Sequence, residues 1–518
     1  MKNLIKKNHL NSLYLIFLGT ISSFSLPPYN YFLINFVTFT LFFIFIIKKK
    51  KLLKKKFSYF KYGWFFGFGY FLSSLYWIVI SLTFDENLKI LIPISLILIP
   101  SFLAIFYGLV LYIFSFFLKN KNISLVFIFS VIFGVIEFIR GNILTGFPWN
   151  LFAFSFSQNL KFIQILSVIG TYGFNMICIT FFLTPAIFIL RKSRNEIFVC
   201  LFIILISVSF FTFGTLQLNN KDLISSQSNE YIIKIISPTI DINRFYESNK
   251  EEEIINDLIK LSKPNSKIPT LFIWPEGTLT SINLKDIKKY KNLFIESFSE
   301  KHLIILGIND EVYSDGYLRV YNSLAVVDRN LDLKNLYYKN NLVPFGEFLP
   351  LENYLSKLGL RSITHGYQSF SKGKKRKVIK LRNQFLSFNF LPLICYEIIY
   401  SGKLAKNKDF DFIINISEDG WFGNSIGPQQ HFSHSIFRAI EEGKNIFRST
   451  NNGISAYINS KGQILKKTES TKGGVIKVTN YNKQKQTLFS KNGNKIFFYL
   501  LIIYISFIFF INLKRENQ

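Results

Sequence analysis

Acidic residues are spread very unevenly along this chain, and that asymmetry limits its possible folds more than any single motif. Of 32 acids, only Asp85, Glu86, Glu137 and Glu196 fall within the first 216 positions. The same stretch is dense in Phe, Ile and Leu, and its lysines gather in short clusters between apolar runs. A water-soluble domain built from it would present an apolar surface, whereas a lipid-facing bundle needs one. The other 28 acids follow residue 216, so most of the second part is expected to be water-soluble.

A membrane-crossing helix needs about 20 mostly apolar residues. Eight stretches qualify: 10–26, 31–47, 60–82, 89–118, 123–140, 162–190, 197–216 and 495–513. The fourth and sixth are long enough to be tilted or kinked. The first follows Lys6 and Lys7 as the apolar part of a signal peptide would, but further spans follow at once, so it reads as an uncleaved anchor. Lys2, Lys6 and Lys7 precede the first span, and seven lysines occupy 48–56 after the second. Lys119 and Lys121 follow the fourth, Arg191, Lys192 and Arg194 the sixth, and Lys514 and Arg515 the eighth. The alternate loops are poor in Lys and Arg: 27–30 has none, and 83–88 carries Asp85 and Glu86.

Basic loops stay in the cytoplasm, so both termini are expected there and the long 217–494 segment outside. The expected organisation is a seven-helix membrane region (1–216), a soluble domain (217–494) and a last helix with a short tail (495–518). A net charge of +29 fits this placement and anionic lipid headgroups better than a nucleic-acid partner. Glu137 and Arg140 close the fifth span and lead into a loop containing Trp149. They read either as an i,i+3 ion pair with an aromatic interface anchor or as a loop beside a lipid-entry site.

The soluble segment alternates short apolar runs with amphipathic ones. Strands are expected at 231–237, 270–275, 302–307, 321–328, 386–394, 411–417, 453–459 and 473–478, and helices at 247–262, 282–299 and 427–443. This alternation implies a layered α/β or α+β domain. The basic run Lys372-Gly373-Lys374-Lys375-Arg376-Lys377 reads as a solvated loop, with phospholipid headgroup contact as the alternative.

Cys178 and Cys200 lie inside apolar spans, and no CxxC pair suggests a disulfide, so Cys395 stands alone in the soluble part. It ends the apolar run Phe390-Leu391-Pro392-Leu393-Ile394. Another such run ends in Trp274-Pro275-Glu276, and Tyr338-Lys339 opens a segment that reaches Glu347. A thiol must lose its proton to attack a carbonyl. A carboxylate can take that proton, and an ammonium can steady the carboxylate and the oxyanion that forms. Each residue also has an ordinary reading: Cys395 as core, Glu276 as a turn or helix cap, Lys339 as surface. His431-x-x-His434 could chelate zinc but lacks an obvious third ligand, and reads as helix packing or a structural hydrogen bond. There is no P-loop, GxSxG elbow or HExxH.

Trp274-Pro275-Glu276, Lys339 to Glu347 within Lys-x-x-Leu-Val-Pro-Phe-Gly-Glu, and Cys395-Tyr396-Glu397 resemble the Glu-Lys-Cys triad motifs of the nitrilase (carbon–nitrogen hydrolase) superfamily. The full set resembles its membrane branch, the bacterial apolipoprotein N-acyltransferases. Further matching motifs are Arg140 to Asn150, Asp419-Gly420-Trp421-Phe422-Gly423, Gly427-Pro428-Gln429-Gln430-His431, Arg438-Ala439-Ile440-Glu441 and Thr450 to Ser455.

The resemblance implies a multi-pass α-helical bundle of about eight transmembrane helices in the bacterial inner membrane, carrying a periplasmic αββα sandwich. It implies ping-pong transfer of an acyl chain, from a phospholipid such as phosphatidylethanolamine, to the N-terminal amine of a diacylglyceryl-cysteine on a lipoprotein. It also implies a monomer without cofactor or metal. Carried over, Cys395 is the nucleophile, Glu276 the general base and Lys339 the oxyanion donor. Glu347, Tyr396 and Glu397 support them. Phe245, Tyr246, Trp149 and Trp421 are candidates to contact substrate.

The chain departs from the pattern twice. Family members often read Ser-Asn-Asp-x-Trp-Phe-Gly where this chain has Ser417-Glu418-Asp419-Gly420-Trp421-Phe422-Gly423. A Lys-Trp pair common after the first strand is replaced by Arg244, Phe245 and Tyr246. Two competing readings keep the same residues: a membrane-anchored amidase hydrolysing a carbon–nitrogen bond, and a transporter or scaffold carrying a dead sensor domain. A dead site tolerates loss of the triad, and here all three positions are present.

Overall fold

The computed structural model describes residues 2–50, 55–220, 231–245, 250–314, 316–358, 369–404, 409–469 and 471–513. By internal contact the chain divides into two units, residues 1–220 with 401–403 and 488–518, and residues 221–400 with 404–487.

The first unit is helical. It contains α1 (Lys2–Ser23), α2 (Leu33–Lys49), α3 (Phe57–Leu75), α4 (Ile92–Phe114), α5 (Asn122–Arg140), α6 (Leu166–Ile189), α7 (Arg194–Asn219) and a C-terminal helix, Lys495–Leu513. Among the described residues, six helical segments from Phe57–Phe84 onward are long and apolar enough to cross a membrane. With α1 and α2 on the first two expected spans, the count is six to eight. The long expected spans are irregular. The fourth begins as 3-10 turns over Glu86–Leu91 and is α-helical over Ile92–Phe114 with Pro100 inside it, and the third, too, is α-helical only to Leu75 before 3-10 turns to Phe84. In the sixth, Gly170 breaks α6 with φ 66° and ψ 175°, which few residues other than glycine adopt.

Helices in lipid associate by close backbone approach at small residues. The Gly63/Gly67 spacing does this for α3 and α4. A Cβ at Gly63 would sit 2.2 Å from the Tyr107 carbonyl oxygen, and one at Gly67 would sit 2.9 Å from the Tyr107 Cβ.

The second unit is a two-sheet sandwich. The first sheet runs β13-β1-β2-β4-β5-β6, with β3 also on β4, and the second runs β12-β11-β10-β9-β8-β7. The strands are β1 (Ile232–Ser237), β2 (Thr270–Ile273), β3 (Leu279–Asn283), β4 (His302–Ser314), β5 (Tyr317–Val327), β6 (Leu333–Tyr338), β7 (Ile379–Arg382), β8 (Ser387–Ile394), β9 (Phe412–Glu418), β10 (Asn445–Asn451), β11 (Ala456–Ile458), β12 (Ile464–Lys467) and β13 (Gly474–Val478).

Side chains alternate across a strand, and here both faces are covered. Leu271 and Ile273 of β2 enter the inter-sheet core with Ile233, Ile305, Phe390, Phe412, Ile414 and Ile416. Phe272 and Trp274 enter an outer core with Leu258 of α8 (Glu251–Ser262) and Phe294 of α9 (Lys291–Ser297). On the far side, α10 (Gly427–Glu442) lies against β10 and β11. The layers are therefore αββα. α10 starts with Pro428 in its first turn and stops at Gly443, whose φ of 64° closes the helix through a bond to the Ala439 carbonyl.

Some expected elements are revised. Strand β10 has no apolar alternation (Asn-Ile-Phe-Arg-Ser-Thr-Asn), yet all seven residues are buried in the middle of its sheet. Ser449 finds partners there: its Oγ lies 2.6 Å from the Ile236 carbonyl and 3.0 Å from the Ile273 carbonyl across the sandwich. The helix expected over 282–299 is instead the end of β3, a 3-10 turn (Asp286–Tyr290) and the short α9. The strand expected over 453–459 shrinks to Ala456–Ile458.

Candidate active site

Strand ends bring the triad candidates together. Glu276 lies three residues beyond β2, Lys339 one residue beyond β6, and Cys395 one residue beyond β8. The Lys339 ammonium is buried between two carboxylates, donating to Glu276 Oε1 at 3.2 Å and Glu347 Oε1 at 2.8 Å. Asn322 of β5 bridges the same two oxygens from Nδ2, at 2.7 and 2.8 Å. The second oxygen of each carboxylate is held by backbone: Glu276 Oε2 accepts from Glu418 N at 3.0 Å, and Glu347 Oε2 from Val343 N at 2.9 Å. Burial pulls the Lys339 ammonium down, but Glu276, Glu347 and Cys395 outweigh it and hold the pKa well above the usual lysine value.

Cys395 is half-buried and has φ 47°, a left-handed conformation that costs a non-glycine residue about 1–2 kcal/mol. Its thiol is pushed well up, first by burial and then by Glu276, with Lys339 opposing. Burial and the neighbouring Glu276 carboxylate both favour the protonated thiol.

Glu397 is fully buried and fastens the turn that carries Cys395. Its Oε1 accepts from Tyr337 Oη (2.7 Å), Asn340 N (3.0 Å) and Asn341 N (3.1 Å) and forms an ion pair with Arg376 Nη2 (2.8 Å), and its Oε2 accepts from Ile394 N (3.0 Å). Arg376 corrects the reading of 372–377 as a solvated loop. Lys372, Lys374, Lys375 and Lys377 are exposed, but Arg376 turns inward because Glu397 is there to neutralise it. Tyr396 is buried, its ring set edge-on to Tyr400 at 5.5 Å.

A second network lies behind Cys395. Asp419 accepts from Ser417 Oγ (2.7 Å) and pairs with Arg448 Nη2 (2.9 Å) and His431 Nδ1 (3.0 Å). Burial raises the Asp419 carboxyl, but Arg448 and His431 dominate and lower it to about 2. The His431 ring also donates to the backbone carbonyl of Cys395. The HxxH spacing thus places His431 on Asp419, and the described residues contain no cluster of three or more His, Cys, Asp or Glu suited to a metal.

Of the substrate-contact candidates, Phe245 and Trp421 are half-buried with ring centroids 4.9 Å apart. Tyr246 lies outside the described residues. Trp149 belongs to the first unit, buried against Trp77 at 5.2 Å. Nearby, Arg140 Nε donates to Glu137 Oε2 at 2.9 Å, so these two form the i,i+3 pair. Sequence reasoning missed Asn322, Tyr337, Arg376 and the Arg448 contact; a lone Asn inside an apolar strand was the available sign for the first.

Gly307 of β4 shows how tightly Glu276 is seated. A Cβ there would lie 2.5 Å from Glu276 Cα and 2.8 Å from the Pro275 carbonyl oxygen. Gly307→Ala is expected to destabilise the second unit by about 1–3 kcal/mol and to slow acylation of Cys395. Thermal unfolding and the acylation rate check this, and parental values for both would count against it.

Two family descriptions match the chain: "Apolipoprotein N-acyltransferase N-terminal domain" over residues 18–184 and "Carbon-nitrogen hydrolase" over residues 290–480. An apolipoprotein N-acyltransferase of Rhizobium etli (strain CIAT 652) is 29% identical over 484 residues, covering 90% of this chain and 89% of the relative. Among solved structures, a variant of the amidase from Nesterenkonia sp. AN1 aligns with a TM-score of 0.32 at 11% identity, covering 50% of this chain and 92% of that one. A relative from Rickettsia prowazekii (strain Madrid E), also an apolipoprotein N-acyltransferase, is 32% identical over 457 residues, 86% of this chain and 89% of its own. Identity at that level, sustained through both the helical unit and the sandwich, means that the chain belongs to the apolipoprotein N-acyltransferase family.

Proposed function

We propose that the protein is an apolipoprotein N-acyltransferase that moves a phospholipid acyl chain, through a thioester on Cys395, to the N-terminal amine of a diacylglyceryl-cysteine. The observation that carries this reading is the buried Glu276–Lys339–Glu347 cluster acting on the strand-end Cys395 in a chain of this family. Glu276 takes the thiol proton as sulfur attacks the ester carbonyl. The ammonium has three N–H groups, and two point at Glu276 and Glu347. The third serves the oxyanion. Collapse expels the lysophospholipid alkoxide, which takes the proton from Glu276. The lipoprotein amine then attacks the thioester, gives its proton to Glu276 and leaves as the amide, and the proton returns to the sulfur.

A free thiolate beside two carboxylates would be electrostatically unfavourable, so proton loss and attack are coupled. Phosphatidylethanolamine is the proposed donor and a monomer the working form. The alternating basic clusters support cytoplasmic termini and a periplasmic sandwich on the bacterial inner membrane. Donor and acceptor are both lipid-embedded, and exclusion of water slows loss of the thioester by hydrolysis. An amidase would use the same residues but would release ammonia.

Mass spectrometry of the purified protein with phosphatidylethanolamine tests the reading. The expected result is an acyl-sized gain on the Cys395 peptide that hydroxylamine removes, Cys395→Ala lacks and a diacylated lipopeptide discharges. No adduct and no lysophospholipid would sink it.

A further inference from the structure

The two departures from the family pattern meet in space. Arg244 and Glu418 form a buried ion pair through Nη2 and Oε2. We infer that this pair is a positioning device that sets the orientation of Glu276; the inference rests on the reading of Glu276 as the base.

Both partners are fastened on every side. Arg244 uses all its donors: Nε (2.9 Å) and Nη2 (2.6 Å) reach the Gly277 carbonyl, and Nη1 reaches those of Ile240 (3.2 Å) and Asp241 (2.8 Å). The remaining Nη2 proton goes to Glu418. Glu418 Oε1 accepts from Gly420 N at 2.8 Å, and its Oε2 also accepts from Asn451 Nδ2 at 2.8 Å. The pair thus grips the base from two directions. Gly277 is the residue after Glu276, and the Glu418 backbone N–H is the donor to Glu276 Oε2 at 3.0 Å. The same clamp carries Phe245 and Trp421: the Arg244 guanidinium sits 4.8 Å above the Phe245 ring, and Gly420, on Glu418, precedes Trp421.

A buried ion pair contributes little net stability, because desolvation offsets the attraction. What this one supplies is geometry: a planar fork with five donors fixes the Gly277 carbonyl and the Glu418 carboxylate in one plane of approach. A base displaced by about 1 Å can cost 10²-fold in rate.

The test is the rate of Cys395 acylation by phosphatidylethanolamine in the full-length protein, for Arg244→Gln, Glu418→Gln and the double variant. Each single variant is expected to lower the rate at saturating donor by about ten- to hundred-fold while half-saturation stays within about two-fold. The double variant, with no unpaired buried charge, is expected to run faster than the slower single one. Rates at saturation within about two-fold of parent, or a change confined to half-saturation, would overturn the inference. If Arg244→Gln does not fold, Glu418→Gln, which keeps shape and backbone N–H, is judged by the same criteria. Glu276→Gln separates the two claims. If it still acylates, the base reading fails. If it is dead while Arg244→Gln and Glu418→Gln run at parental rate, only the positioning pair fails.

Discussion

Lys339→Met is expected to slow acylation of Cys395 by about a thousand-fold and to destabilise the second unit by about 3–5 kcal/mol. Two separate losses produce these effects. The rate falls because, in the proposed mechanism, the ammonium donates to the developing oxyanion, and removing one such donor costs about 10²–10³ in rate. Loss of the cation also weakens the hold on Glu276, which it contacts at 3.2 Å. Stability falls because Glu276 and Glu347 both accept from Asn322 Nδ2 and would face each other with no cation between them. One of the two must then take a proton or move apart.

The double variant Lys339→Met/Glu347→Gln separates these losses. It removes one carboxylate charge, so thermal stability should recover in part, while the acylation rate should stay at the level of the single variant. Single-turnover acylation and thermal unfolding measure the two effects independently. A single variant within about ten-fold of the parental rate would take Lys339 out of the oxyanion role.

The sequence was most readable where chemistry ends a regular element. Glu276, Lys339 and Cys395 stand at the ends of β2, β6 and β8, and such ends are visible as apolar runs that stop at a polar residue. The spans were readable for the same reason, since lipid demands long apolar segments. What stayed hidden depends on partners distant in sequence. Asn322 looks like an ordinary strand interior residue until β5 is laid where Glu276 and Glu347 converge, 46 and 25 residues away. Strand β10 reads as polar because Arg448 and Ser449 are satisfied by Asp419 and by the facing sheet. Arg376 differs from the lysines around it only because Glu397 lies beneath it. Glu418 reads as a simple departure until Arg244 is seen to pair with it.

Glu397→Gln is expected to lower the acylation rate about 100-fold and stability by about 3–5 kcal/mol, although the side chain changes by one atom. Every known partner of this carboxylate is a donor. Three hydrogen bonds reach Oε1, from Tyr337, Asn340 and Asn341, with Arg376 in ion-pair contact, and the Ile394 amide reaches Oε2. A glutamine must place its NH₂ at one of the two oxygen positions, so in either orientation donor faces donor. The buried Arg376 guanidinium loses its counter-charge at the same time.

The consequence for catalysis follows from what these contacts join. Asn340 and Asn341 follow Lys339 directly, and Ile394 precedes Cys395, so Glu397 ties the lysine to the turn that carries Cys395. With that tie gone, Cys395 loses one of the supports of its left-handed conformation at φ 47°, and relaxation toward an ordinary backbone is expected to swing the sulfur away from Glu276. Adding Arg376→Met removes the unpaired charge and should restore part of the stability without restoring the rate. Thermal unfolding and single-turnover acylation of the single and double variants check both halves. A Glu397→Gln protein that acylates within a few-fold of parent would show that the turn holds its shape without this carboxylate.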